Sequence, residues 1–113
     1  MNYVISGPKK AAISCLGAYV PEHKLTNADL EKMVETNDEW IIARTGIKER
    51  RILKDPSKGT SFMAINAAKD LLRKKKISPK KIEVVIVATI TPDMHVAATA
   101  AQVATEILSL IHI

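Results

Sequence analysis

Leu25-Thr26-Asn27-Ala28-Asp29-Leu30 and, ten residues on, Thr36-Asn37-Asp38-Glu39-Trp40-Ile41-Ile42-Ala43-Arg44-Thr45-Gly46 decide how this chain folds, because both stretches open with helix-start chemistry. Thr26 offers a hydroxyl to the free amides of a first helical turn, and Asp29 can reach back to it, which is a capping box. Leu25 and Leu30 stand at the spacing of a hydrophobic staple around that cap. Leu30, Met33 and Val34 then give the i, i+3, i+4 stripe of a helix lying on a core. Thr36 with Glu39 repeats the box and predicts a second, short helix ending near Gly46, a residue suited to a left-handed cap. Two starts this close require the first helix to stop near Glu35 and the chain to turn sharply.

Upstream of these helices, residues 11–20 are a short apolar run with Val and Ile, stopped by Pro21, and predict a buried strand. Downstream, Ile47 to Leu53 predicts a strand or extended arm, closed by Asp55-Pro56-Ser57-Lys58-Gly59. Thr60 or Ser61 opens a longer helix with Phe62, Ile65, Ala68 and Leu72 on one face. Its cations at 73–76 oppose the negative end of the macrodipole. Ser78-Pro79 begins a turn, and Glu83 to Thr89, Val- and Ile-rich without alternation, predicts a strand covered on both faces. Thr91-Pro92-Asp93 is a loop, and the Ala-rich run 97–107 is a last helix. The order β, α, α, β, α, β, α is a piece of a layered α/β fold.

Composition excludes several classes. At 113 residues, 47% hydrophobic and 26% charged, the chain has room for one globular domain and is no disordered polymer. No apolar run approaches the roughly 20 residues of a membrane helix, so no membrane partner is expected. A single cysteine, Cys15, rules out an internal disulfide framework or a cysteine-rich zinc module. The apolar stretch after Lys9-Lys10 runs straight into Pro21-Glu22-His23 without a signal cleavage site, and the reading is cytoplasmic. The net charge of +5 gathers at 48–51 and 73–76. Such clusters attract acidic partners or simply form solvated faces, and the latter reading is preferred.

Trp40 and Arg44, spaced i and i+4, share a helix face where an indole can stack a planar base and a guanidinium can meet a phosphate. Thr36 adds a polar group at the positive end of the same helix. The competing reading makes Trp40 a core anchor. Cys15, inside the first strand, reads as a buried, inert thiol. His23, His95 and His112 stand alone, without partners at ligand spacing, so no metal site is expected.

Tyr19-Val20-Pro21-Glu22, the stretch 25–30, the stretch 36–52 and Val87-Ala88-Thr89-Ile90-Thr91-Pro92-Asp93 together closely resemble the N-terminal signature of β-ketoacyl-acyl carrier protein synthase III. This is the condensing enzyme that starts bacterial type II fatty-acid synthesis. The resemblance runs from about residue 10 to Ile107, with a departure at His95-Val96-Ala97-Ala98-Thr99, where the family commonly has an aromatic residue and a proline. It implies a fragment of the thiolase-like α/β/α/β/α fold, a homodimer, and acetyl-CoA and malonyl-acyl carrier protein as substrates, with no tightly bound cofactor. Residue by residue it implies that Trp40 stacks the adenine of coenzyme A, Arg44 supports the nucleotide and Thr36 contacts the base. The family's nucleophilic Cys and its His and Asn would lie beyond these residues. The chain as given is therefore expected to be inactive, to bind CoA weakly, and to leave Ile and Val surfaces exposed. The alternatives are a small basic nucleic-acid-binding module, which lacks any nucleic-acid signature here, and a related CoA-dependent condensing enzyme with another starter.

The layout read from the resemblance is an N-terminal extension at 1–10, the first part of a thiolase-like domain at 11–107, and a non-native tail at 108–113. The tail, Leu108-Ser109-Leu110-Ile111-His112-Ile113, matches at every position the translation of CTG-TCT-CTT-ATA-CAC-ATC, a transposon mosaic end used in sequencing libraries, and such scars are set aside from fold reasoning.

Overall fold

A computed structural model describes residues 11–96 and 98–108. In chain order the elements are β1 (His23–Thr26), α1 (Asn27–Glu31), α2 (Asp38–Thr45), β2 (Glu49–Ile52), α3 (Thr60–Lys75), a 3-10 turn (Pro79–Lys81) and α4 (Thr99–Ile107). The expectations for residues 1–10 and 109–113 lie outside the described residues. Among the described residues no helix is long and apolar enough to cross a membrane.

The first capping box forms as read. Thr26 Oγ1 accepts from the Asp29 amide at 3.2 Å, and the Thr26 amide donates to Asp29 Oδ2 at 3.0 Å. The Thr26 hydroxyl, with its amide, holds the Asp29 carboxyl below its ordinary value. The helix it starts is shorter than expected, closing at Glu31 rather than Glu35. Glu31 Oε1 accepts from the Asp38 amide at 2.7 Å, which draws the start of α2 back onto the end of α1. Met33 and Val34 therefore fall in the turn, 68% and 59% exposed, and do not form the expected core stripe.

His23 opens β1, which pairs antiparallel with β2 in the register His23↔Ile52 to Thr26↔Glu49. The pairing is fastened by charge. Glu49 meets Lys24 at 3.1 Å across the strands and Arg51 at 3.2 Å, and Arg51 Nη1 also donates to the Pro21 carbonyl at 3.1 Å. Lys24, with Arg51, holds the Glu49 carboxyl below its ordinary range.

Helix α3 begins where expected, but its N-cap, Gly59, has no side chain to offer. The loop 91–93 supplies the missing acceptors. Asp93 Oδ1 accepts from the Ser61 amide at 2.8 Å, Asp93 Oδ2 accepts from the Ser61 hydroxyl, and Thr60 Oγ1 donates to the Thr91 carbonyl at 2.5 Å. The Ser61 bonds keep the Asp93 carboxyl below its usual value. At the other end Asp70 takes Arg73 and Lys74, each at 2.6 Å, and the Ala18 amide at 3.1 Å. These donors, Lys74 first, hold the Asp70 carboxyl far below the usual carboxylate range.

The expected strands at 11–20 and 83–89 are extended but unpaired. A strand is completed by a hydrogen-bonded neighbour, and neither segment has one among the described residues, whose sheet is the two-stranded β1–β2. They lie on α3 without ladder bonds, residues 11–20 tied there by the Ala18 amide to Asp70 and by Lys75 to the Ser14 carbonyl. Cys15, Gly17 and Tyr19 turn inward while Leu16 and Val20 are 75% and 55% exposed. Val85 and Val87 likewise face in, whereas Val84 and Ile86 are 72% and 86% exposed. The expected cover on both faces is thus present on one, and the expected exposure of Ile and Val is observed. Between α3, α4 and residues 82–88 an apolar groove of about 440 Å³ remains, with Leu71, Val85, Val87 and Val103 in its walls.

The main packing contacts fall into two sets, β1, β2, α1 and α2 with one another, and α3 with α4. Each set has its own anchor, Ile41 in the first and Val103 in the second. Leu108, read as the first residue of a non-native tail, still closes α4, its amide donating to the Ala104 carbonyl at 2.8 Å.

Candidate functional site

The site is built on α2. Its cap is Asn37, one residue later than expected: Asn37 Oδ1 accepts from the Trp40 amide at 2.8 Å. Asparagine is the better N-cap of the two neighbours, and its choice leaves Thr36 outside the helix with its side chain spared from capping. At the far end Gly46 adopts φ 68°, and its amide donates to the Ile42 carbonyl at 2.8 Å, the left-handed cap read from the sequence. Asp38 and Glu39 in the first turn and Arg44 in the last suit the macrodipole.

Ile41 is the residue of α2 that is buried, at 5% exposure, and it turns its neighbour outward. Trp40 is 54% exposed, so it is no core anchor. The Arg44 guanidinium carbon sits over the indole, 4.9 Å from the ring centroid. On the N-terminal side Trp40 joins Glu35, Thr36 and Asn37 around an open recess of about 240 Å³. The three residues singled out from the sequence are therefore brought together, although Thr36 stands before α2 and not on it. A ring stacked on one side by a cation, beside a polar recess, suits a planar aromatic ligand carrying negative charge.

The remaining candidates do not converge. Cys15 is half-buried, its Sγ 3.9 Å from the Leu71 carbonyl oxygen, with main-chain oxygens rather than a base for company. His23 is in β1 and His95 in an exposed loop, while His112 lies outside the described residues. Among the described residues no three His, Cys, Asp or Glu side chains gather at metal-binding distance.

Sequence reasoning missed Asn27, to which it gave no role within the first capping box. Asn27 is 2% exposed, and its amide group makes three side-chain bonds: Nδ2 donates to Asp38 Oδ1 at 2.7 Å and to the Ile47 carbonyl at 2.9 Å, and Oδ1 accepts from Arg50 Nη1 at 2.7 Å. The available signal was slight: an asparagine at the first helical position, where propensity does not favour it.

The chain is 58% identical over 97 residues to the β-ketoacyl-[acyl-carrier-protein] synthase III of Porphyromonas gingivalis, a match covering 86% of this chain and 29% of that protein. It belongs to the β-ketoacyl-acyl carrier protein synthase III family. No protein-family model matches it. The crystal structure of the 3-oxoacyl-[acyl-carrier-protein] synthase III of Aquifex aeolicus superposes with a TM-score of 0.78 at 45% identity, covering 85% of this chain and 30% of that one. A priming β-ketosynthase from a polyketide biosynthetic pathway superposes at 0.77 and 28% identity, covering 84% and 28%. The fold is accordingly a fragment of the thiolase-like synthase III architecture. The chain spans somewhat under a third of the length of the synthase III relatives it matches.

Proposed function

We propose that the protein is a synthase III acyltransferase acting on acetyl-CoA and malonyl-acyl carrier protein, and that Thr36, Trp40 and Arg44 form part of its coenzyme A site. In this reaction a cysteine thiolate displaces CoA from acetyl-CoA and keeps the acetyl group as a thioester. Malonyl-acyl carrier protein then loses CO2, and the resulting carbanion attacks the thioester carbonyl and expels the thiolate, leaving a β-ketoacyl product. Cys15 faces backbone carbonyls, and the reading does not assign it as that nucleophile. The part of the α2 site is to hold the nucleotide: Trp40 stacks the adenine, Arg44 keeps its cation beside the phosphates, and Thr36 offers a hydroxyl from the recess to the base edge. The same reading makes the enzyme a cytoplasmic homodimer without a tightly bound cofactor.

The observation that carries the reading is an indole 54% exposed, with a guanidinium over it and a recess beside it. A nucleic-acid partner draws no comparable support, because Arg73 and Lys74 are engaged by Asp70 and Arg51 by Glu49. The test is a CoA titration followed by calorimetry, which reads the wild type and the variants that lack the one tryptophan alike. Base–aromatic stacking is worth about 1–3 kcal/mol, so Trp40→Ala should weaken CoA by roughly 5- to 150-fold, with Trp40→Phe in between. Equal affinity for CoA in the wild type and Trp40→Ala, or tighter binding of an oligonucleotide than of CoA, overturns it.

A further inference from the structure

Helix α2 has little apolar packing to fix its roll and position, since Ile41 is its buried residue. What holds it is polar. The buried Asn27 amide reaches Asp38, the first residue of α2, and the carbonyl of Ile47, just past the Gly46 cap. One side chain therefore grips both ends of the helix. Its oxygen is held in turn by Arg50 of β2, and the Asn27 main-chain amide donates to the Lys48 carbonyl at 3.3 Å. The chemistry demands an amide. Two acceptors face its nitrogen and a cation faces its oxygen, so a carboxylate would meet two acceptors without a proton to share, and an aliphatic group would leave all three partners unpaired in a buried place.

We propose that Asn27 is a positioning residue for the Trp40–Arg44 platform, setting the placement of α2 against the Thr36 recess without touching the ligand. The proposal rests on the CoA reading only for the nature of that ligand, and its structural part is measured without one. Trp40 is the one tryptophan of the 113 residues and reports on α2 directly.

The experiment compares the full chain with Asn27→Asp and with Asn27→Asp combined with Asp38→Asn, which sets an amide at position 38 against a carboxylate at position 27. The readouts are Trp40 emission with its quenching by acrylamide, and peptide-resolved amide hydrogen exchange. Asn27→Asp should speed exchange across α2 by about tenfold, the effect of losing a buried hydrogen bond, and should shift Trp40 emission, while exchange in α3 stays put. Adding Asp38→Asn should recover a substantial part of both signals, which a general loss of stability would not allow. Unchanged α2 exchange and emission in Asn27→Asp overturn the proposal. So does an equal rise in α2 and α3, no recovery in the double variant, or a wild-type Trp40 that already behaves as free indole. A CoA titration of the same proteins separates the two readings: if Asn27→Asp loosens α2 and CoA affinity does not change, the clamp stands and the CoA assignment falls.

Discussion

Replacing Gly17 by alanine tests how residues 11–20 are seated. A methyl carbon there would lie 2.3 Å from the Ala67 carbonyl oxygen and 2.6 Å from Leu71 N and Cβ, where ordinary contact begins at 3.4 Å. Both obstacles include backbone of a continuous helix, so neither can rotate away. The segment has to withdraw by roughly 1 Å to restore normal packing distances. That retreat stretches the 3.1 Å bond from the Ala18 amide to Asp70 to about 4 Å, outside hydrogen-bonding range. Overpacking of this kind costs about 1–3 kcal/mol, and each kcal/mol lowers the midpoint of a domain near this size by roughly 4–8 °C. The assay is thermal unfolding followed by far-ultraviolet circular dichroism, with Ser14→Ala, at an exposed neighbour, as a control expected within about 0.5 kcal/mol of wild type. Alkylation of Cys15 should also quicken, since its thiol leaves the α3 surface with the segment. A Gly17→Ala protein that melts with the wild type and shields Cys15 as well would refute the close approach on which this reasoning depends.

Two further outcomes follow from local geometry. Gly46→Ala meets no atom within 4 Å but must hold φ 68°; it should cost about 1 kcal/mol through backbone strain alone, and Gly46→Asn should cost less, both read from thermal midpoints. The Asp55 carboxyl is lowered from 3.8 to about 2, first by the Ser57 hydroxyl and amide and then by Lys58. A lowered folded-state value means that its contribution is present above the unfolded value of 3.8 and is lost as pH falls through about 2. Midpoints measured across that window should fall less steeply in Asp55→Asn than in the wild type, and parallel curves would contradict the turn.

Helix starts were legible because their chemistry is local. Thr26 and Asp29 lie three residues apart and need nothing else to meet, and Gly46 declares its conformation by lacking a side chain. The cap at Asn37 was displaced by one residue because Thr36 and Asn37 are both competent and only the turn after α1 decides between them. The strands were harder. Residues 11–20 and 83–89 carry the composition of buried strands, yet pairing is a property of neighbours, and β1 has so little apolar character that only its partner β2 reveals it. At the site, Trp40 and Arg44 were visible as an i, i+4 pair, whereas the exposure that separates a platform from a core anchor depends on Ile41 taking the buried position. Asn27 was illegible for the same reason: its three partners come from α2, β2 and the link between them, and no local pattern announces that they meet.

The division of packing contacts into two sets bears on how the molecule can vary. Substitutions that share no neighbours have additive effects, and Trp40, Arg44 and their supports sit in the set of β1, β2, α1 and α2, apart from the α3–α4 pair. Changes at the proposed platform on α2 can therefore accumulate without a compensating change along α3. Repacking of Leu71 or Val103 leaves the recess at Thr36 as it was. The two sets are free to drift at different rates within one chain.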